Sequence, residues 1–454
     1  MPDKPSKAAQ PLVSGKPSIA AQPQTTIDKT TFINGGLGAV KGIRCSGVSA
    51  GFRRNPTRRD LALVTVERPA VSAAVFTRNL FCAAPVRLSR QHLLQEAMSD
   101  VDNPSAESGV RAILLNSGNA NASTGDPGMQ TAIRAAELTA AHLKCQPHQV
   151  LVASTGVIGV SLGEDLFETG IPLALSELGS DDGSSVESGL HAAQAIMTTD
   201  TYPKQAAVQF TIVWDDASEV SYTIGGMVKG SGMISPDMAT LLGVFATDAW
   251  LTQEAADQAL KQVMDVTLNK VTIDSDTSTN DSVYFMATGA TKGKTITLSS
   301  PQFEAFVSAF RVLSEDLTRQ IAYDGEGATK LVTINVVGAL DDADADKAGR
   351  AVANSPLVKT AIAGHDANWG RIAMAIGKSG ALFEQEKVDI SIMGMPVCRG
   401  GLPVAFDEDE ALLHFEQDVE IVIDINLNAG QGRARLWTCD LTHDYISING
   451  DYRS

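Results

Sequence analysis

Short apolar runs bounded by glycine, asparagine and aspartate alternate along this chain with longer stretches of helical spacing. Leu61–Val66 and Ala73–Thr77 have the bounded, aliphatic pattern of two strands, one largely buried. Ala112–Leu115 and Val150–Ala153 are further buried strands. The first of these runs into Asn116–Gly125, dense in turn formers. Asp126 as N-cap and Pro127 at the first helical position then predict a helix, with Met129, Ile133, Ala136, Ala140 and Leu143 on one face. Residues 99–109 and 176–189 are polar enough to be solvated loops. Gln209–Trp214 and Val220–Ile224 predict strands paired across Asp215–Ser218. A helix is expected over Glu254–Val266 and a longer one after Ser300-Pro301. In the longer one Phe303, Phe306, Phe310, Leu313 and Leu317 recur at helical spacing, as a core face does. Leu331–Val337, Val388–Ile392, Val419–Ile425 and Arg433–Leu441 read as strands, with helical sequence at Ile372–Ile376. The end of the chain, Asp444–Ser454, reads as a strand and an anchored terminus.

The stretch Gly225–Met233 interrupts this pattern. It is glycine-rich and carries one lysine, Lys229. Pro236 restricts the backbone beyond it, and Ala239-Thr240 stands directly before the apolar run Leu241–Ala246. A threonine at the head of a buried strand is ordinary strand composition. Scission of the Ala239–Thr240 bond would change its chemistry. The new α-amine, with an unperturbed pKa of about 7.7–8.0, can act as base for the hydroxyl of the same residue. Nucleophile and base then need no histidine.

Other polar clusters carry two readings each. Thr155-Gly156, after an apolar strand, presents a hydroxyl and an amide N–H at one point, as an oxyanion site does; a plain turn needs the same glycine. Thr198 lies in Ile196–Thr201, which either caps a helix or lines a pocket. Glu326, between Gly325 and Gly327, is a carboxylate on open backbone or an exposed loop acid. Asp274, Asp276 and Asp281 lack the glycine and terminal glutamate of an EF-hand, so Val271–Val283 reads as a polar loop that buttresses a site. Asp341–Asp346 reads as a solvated helix entry. Treating Gly225–Gly232 as a phosphate cradle fails on the lysine spacing.

Composition narrows the function classes. The 454 residues suit two or three domains, 44% are apolar and 20% charged, and the net charge is −17. That charge argues against a nucleic-acid surface. The five cysteines, Cys45, Cys82, Cys145, Cys398 and Cys439, are dispersed with no C-x-x-C pair. The pattern fits a reducing compartment and no zinc site. No apolar run reaches the ~18 residues of a membrane span, and a cytoplasmic location is expected. Residues 1–28, punctuated by five prolines and without arginine, read as a disordered tail and not as an organelle presequence.

Several longer motifs occur in order: Asn116–Ala122, Ser154–Gly159, Ile196–Thr201, Lys229–Ile234 with Met238-Ala239-Thr240, Asp276–Asp281, Asn368–Arg371, and Asp444-Tyr445 with Ile448-Asn449. Together they resemble the ornithine acetyltransferase, or glutamate N-acetyltransferase, family of arginine biosynthesis, over roughly Thr31 to Ser454. The resemblance implies an α/β fold, a layered αββα sandwich of the ArgJ/DmpA-like kind with a second interlocking lobe. It implies self-cleavage between Ala239 and Thr240 into chains 1–239 and 240–454, assembled as an α2β2 heterotetramer or larger. It implies Thr240 as nucleophile, Thr155 and Gly156 as the oxyanion pair, and Thr198, Lys229, Thr240, Glu326, Asn449 and Ser454 as substrate contacts. N-acetylornithine and glutamate would be the substrates of a ping-pong acetyl transfer. No cofactor or metal is implied. Acetyl-CoA stays open as a second acetyl donor, because bifunctional and ornithine-only members share these motifs. An N-terminal-nucleophile aminopeptidase or amidase of DmpA type is the competing enzyme. Ser123, where many members carry cysteine, and His365 and Ala367 beside Asn-Trp-Gly-Arg depart from the family pattern.

Overall fold

The computed structural model describes residues 30–102, 109–235 and 241–451. The expected tail, Ala239, Thr240 and Ser454 lie outside those residues. Nine strands of the described residues form the first sheet: β1 (Thr30–Ile33), β2 (Ile43–Val48), β3 (Leu61–Phe76), β4 (Val110–Asn119), β5 (Val150–Val157), β6 (Lys204–Val213), β7 (Glu219–Lys229), β8 (Leu242–Thr247) and β9 (Ser282–Ala287). Their order is β1-β6-β7-β8-β9-β3-β4-β5, with β2 beside β3. The expected hairpin is β6–β7, in register from Lys204↔Val228 to Val213↔Glu219.

The two strands expected around Leu61–Thr77 are one strand. Glu67, Arg68 and Pro69 look like a turn in sequence, yet the backbone stays extended through them. Pro69 lacks an N–H, and it sits where the ladder to β4 jumps from Thr65 to Ala70, so no ladder bond is lost there. Before the jump β3 lies between β2 and β4; after it, Val71–Phe76 pair with β9. The strand therefore joins two sheet halves that face each other. Side chains of both halves share one core, including Val64, Ile113 and Leu151 with Val244, Tyr284 and Met286. The Tyr284 hydroxyl of β9 donates to the Val152 carbonyl of β5 across that layer, at 2.9 Å.

Helices cover the outer faces. They are α1 (Ala84–Asp102), α2 (Gly125–Leu143), α3 (Asp165–Ser176), α4 (Val186–Ala195), α5 (Gln253–Val266) and α6 (Gln302–Tyr323). Helices α5 and α6 bury Ala259, Val263, Phe306, Phe310 and Leu317 against β6–β9, while α2 and α3 bury Ala132, Ala136, Phe167 and Ile171 against β4 and β5. This is the αββα layering. The phenylalanine stripe is core, with Phe285 and Phe310 stacked at 5.3 Å. Helix α2 starts at Gly125 with Thr124 at the N-cap position, earlier than Asp126. Residues 99–102, expected as loop, continue α1, and 103–108 lie outside the described residues.

A second sheet holds β10 (Leu331–Ala339), β11 (Asp389–Ile392), β12 (Met395–Arg399), β13 (Leu402–Pro403), β14 (Glu420–Asn426) and β15 (Gly432–Cys439), ordered β13-β12-β11-β14-β10-β15. Around it run α7 (Asp342–Ala353), α8 (Pro356–Ala363), α9 (Trp369–Gly377) and α10 (Glu408–Gln417), with α11 (His443–Asp451) closing the described chain. The Asp341 side chain caps α7 through the Asp344 N–H. Asp344 itself is buried and pairs with Lys347, so that helix entry is less solvated than expected. The two lobes meet where Arg319 of α6 grips Glu420 of β14 with two bonds of 2.9 and 2.7 Å. Among the described residues no helix is long and apolar enough to cross a membrane.

The last described residues, His443–Asp451, form a helix, not the expected strand. Ile446 and Ile448 alternate as strand residues do, but α11 buries none of its residues fully, and Ile446 is 72% exposed. Local bonds decide the conformation instead. The Thr442 hydroxyl accepts from the Asp444 N–H and donates to the Gly327 carbonyl, fastening the start of the helix to the loop that carries Glu326.

Candidate active site

One cavity, of about 160 Å³, lies where β5, β7, β8 and the loops before β9 and after α6 converge. Its walls include Thr155, Gly156, Thr198, Lys229, Glu326 and Asn449, six of the positions expected at the site, together with Leu241, Asp281 and Gly232. These residues lie on seven separate stretches of chain, and each has a local reason for its place.

Thr155 and Gly156 belong to β5 itself rather than to a turn after it. Gly156 has φ +132°, and a Cβ there would sit 2.4 Å from the Gly118 carbonyl carbon. The ladder between β4 and β5 is irregular at the same place, beside Gly118 and Asn119. Such bulges re-aim backbone groups, and glycine alone tolerates both the dihedral and the approach. Next door, the Asn280 amide donates to the carbonyls of Ala120 (2.5 Å) and Ser154 (2.9 Å), pinning the loop before β9 to the head of the pair.

Lys229 ends β7 and Thr198 follows α4. A buried ion cluster sets both. The Lys204 ammonium lies 2.7 Å from Asp200 and 2.5 Å from Asp324, and all three side chains are at most 3% exposed. Asp200 also accepts from the N–H groups of Thr198 and Gly230, each at 2.8 Å. It thereby ties two walls of the cavity to one carboxylate. Asp324 accepts from Thr201 through both its N–H and its hydroxyl. Two carboxylates share one ammonium. Burial opposes the charge of Asp200, but Lys204 and then Lys229 hold its carboxyl below the usual range. For Asp324 burial outweighs Lys204 and the pKa is raised. Lys204, buried but flanked by both acids, stays above its ordinary value.

Lys229 is different. Burial lowers its pKa, with Asp200 and Asp281 pulling the other way. Its ammonium makes no ion pair or hydrogen bond among the described residues, so it is open to an anionic group. Glu326 is 8% exposed; its N–H donates to the Ser231 carbonyl and its carboxylate accepts from the Asn449 amide at 2.7 Å. Gly232 leaves it room, since a Cβ there would come within 2.4 Å of the Glu326 carboxylate.

The loop before β9 buttresses the site as expected. Asp274 accepts from the N–H groups of Met233 (2.6 Å) and Ile234 (2.8 Å), and Thr277 donates to the Ser235 carbonyl. These bonds hold the chain that leads to residue 236. On the far side, Leu241 lines the cavity and its carbonyl accepts from Ser282 at 2.9 Å. Thr240 and Ser454 lie outside the described residues, but Thr240 is one Cα step, about 3.8 Å, from Leu241.

Sequence reasoning misses three participants. Lys204 and Asp324 fall outside every motif, although a lysine opening an apolar strand is a usable signal. Asp281 reads in sequence as part of a polar loop and of the Asp276–Asp281 motif, with no role of its own. It is 3% exposed, and its Oδ2 has no hydrogen-bond partner. An unmet buried polar group costs about 1–3 kcal/mol. Burial pushes its carboxyl well above the ordinary range, against smaller opposing effects of Ser278 and Lys229.

Comparison with known proteins identifies the family. The profile of the ArgJ family matches residues 44–454. The chain belongs to the ArgJ family. It is 43% identical over 425 residues to the arginine biosynthesis bifunctional protein ArgJ of Symbiobacterium thermophilum, covering 93% of this chain and 100% of that one. It is 39% identical over 431 residues to the ArgJ protein of Bacillus subtilis, covering 95% and 100%. A solved structure of ornithine acetyltransferase from Mycobacterium tuberculosis, complexed with ornithine, is 37% identical, covers 46% of this chain and 100% of that one, and superposes with a TM-score of 0.38.

Proposed function

We propose that this ArgJ-family acetyltransferase of arginine biosynthesis moves an acetyl group from N-acetylornithine to glutamate through an ester on Thr240, after the chain has cut itself between Ala239 and Thr240. The carrying observation is the shared cavity. Leu241, the residue after Thr240, lines the same small space as Thr155, Gly156, Lys229 and Glu326. A nucleophile joined to Leu241 therefore has an oxyanion pair, an open ammonium and a carboxylate within one pocket.

The freed α-amine of Thr240 takes the hydroxyl proton as Oγ attacks the acetyl carbonyl. Thr155 and Gly156 carry the developing oxyanion; losing one such donor typically costs ~2.7–4 kcal/mol in the transition state. Lys229 suits the substrate carboxylate, and Glu326, oriented by Asn449, suits an ammonium group. Thr198 and Ser454 complete the substrate contacts. Ornithine leaves and the amine of glutamate attacks the ester. Acetyl-CoA acylating the same hydroxyl is the second donor of a bifunctional enzyme. The two chains assemble as an α2β2 heterotetramer in the cytoplasm, with 29–239 and 240–454 as its segments. A DmpA-type aminopeptidase would hydrolyse the ester instead, so acetyl transfer to glutamate without net hydrolysis separates the two readings.

The test is Thr240→Ala. The purified variant stays a single uncut chain and makes no N-acetylglutamate from glutamate and either donor. Cleaved or active Thr240→Ala protein refutes the proposal.

A further inference from the structure

Asp281 stands out among the described residues lining the cavity. Its carboxyl is buried and one oxygen is unpartnered, yet the backbone around it is firmly held. Its carbonyl accepts from the Thr77 N–H at 2.9 Å, Ser282 N donates to the Leu241 carbonyl, and the Asn280 amide holds Ala120 and Ser154. The open oxygen is therefore a fixed property of the site. No histidine or cysteine is among the described lining residues. The other lining carboxylate, Glu326, accepts from Asn449 through one oxygen and is given to the substrate ammonium in the reading above. A neutral carboxyl with a free oxygen is both donor and acceptor.

Transfer of an acetyl group between two amines needs a proton at nitrogen twice. We propose that Asp281 is the catalytic acid and base at the substrate nitrogen, which rests on the acetyl-Thr240 reading above. As the C–N bond of the tetrahedral adduct breaks, the Asp281 carboxyl gives its proton to the departing nitrogen and becomes a carboxylate. The α-amine of Thr240 keeps the proton taken from its own hydroxyl. The carboxylate, now buried near Lys229, takes a proton from the incoming ammonium and is restored. The freed amine forms its bond to the acetyl carbon. The C–Oγ bond then breaks as the Thr240 ammonium returns its proton to Oγ. Solvent supplies the proton that makes the released amine an ammonium and accepts the one shed by the new amide. All groups end as they began.

The leaving group separates this role from a structural one. An amine leaves only when protonated, whereas p-nitrophenolate leaves without a proton. Single-turnover release of ornithine from N-acetylornithine and of p-nitrophenolate from p-nitrophenyl acetate are measured on the full-length processed enzyme. In Asp281→Asn, ornithine release is expected to slow at least ~100-fold relative to p-nitrophenolate release. Asp281→Glu regains at least ~10-fold of that ratio. If both releases fall alike, or neither falls, or the Asp281→Asn chain remains uncut, the assignment is overturned. A wild-type enzyme that releases neither product removes the acetyl-Thr240 reading itself, and the assignment with it.

Discussion

Replacing Lys204 with methionine tests whether the buried ion cluster holds the cavity together. The substitution keeps most of the length of the side chain and removes its charge. It deletes contacts of 2.7 and 2.5 Å and strands two carboxylates whose side chains are 1% and 3% exposed. Removing one partner of a buried pair typically costs about 3–5 kcal/mol. At an unfolding entropy of about 2.1 cal/mol/K per residue, a cooperative unit of ~250 residues loses roughly 6–10 °C in Tm. Differential scanning calorimetry reads this directly. The loss depends on pH, and its sign is fixed. Without the ammonium, both buried carboxyls have folded-state pKa values above the unfolded value of about 3.9. A raised carboxyl pKa destabilises in full above the folded-state value, and the penalty lifts as pH falls from that value to the unfolded one. The gap between variant and parent therefore narrows as pH falls towards the unfolded value of about 3.9. Lys204→Met/Asp324→Asn recovers part of the Tm by removing one stranded charge. Because Asp200 also fixes the backbone of Thr198 and Gly230, acetyl transfer falls even well below the melting point. A Tm within about 2 °C of the parent, or a gap that widens on acidification, refutes this account.

Two further outcomes are expected. Gly156→Ala forces a Cβ to within 2.4 Å of the Gly118 backbone at φ +132°; the strain turns the residue's N–H away, and kcat falls by ~100-fold or more, measured as N-acetylglutamate formed. Of the five thiols, Cys45, Cys398 and Cys439 are buried, and burial pushes the Cys45 thiol up to about 12; titration with a thiol reagent reads at most Cys82 and Cys145 in the native protein and all five in denaturant, and fast reaction of a third native thiol contradicts the packing.

Sequence patterns carry far where burial alone sets the structure. The β6–β7 hairpin, the α6 phenylalanine stripe and the β10, β14 and β15 strands follow from apolar spacing and turn residues. Reading fails where tertiary partners override local cues. Glu67-Arg68-Pro69 looks like a break because nothing in sequence shows that β3 changes neighbours there. The apolar alternation at Ile446 and Ile448 misleads because α11 is fixed by Thr442 and Gly327 and not by burial. Of the site, six expected residues meet in one cavity. The roles of Lys204, Asp324 and Asp281 instead depend on contacts between segments far apart in the chain, which no local window reveals.

Strand β8 begins two residues after Thr240 and lies between β7 and β9, hydrogen-bonded to both. A break just ahead of it would leave two polypeptides woven into a single sheet, with β8 and β9 of one lying between β7 and β3 of the other. Such pieces cannot be exchanged between molecules like ordinary subunits, nor rejoined by mixing once purified apart. Genes encoding the two portions separately would yield enzyme only if both products met while still unfolded.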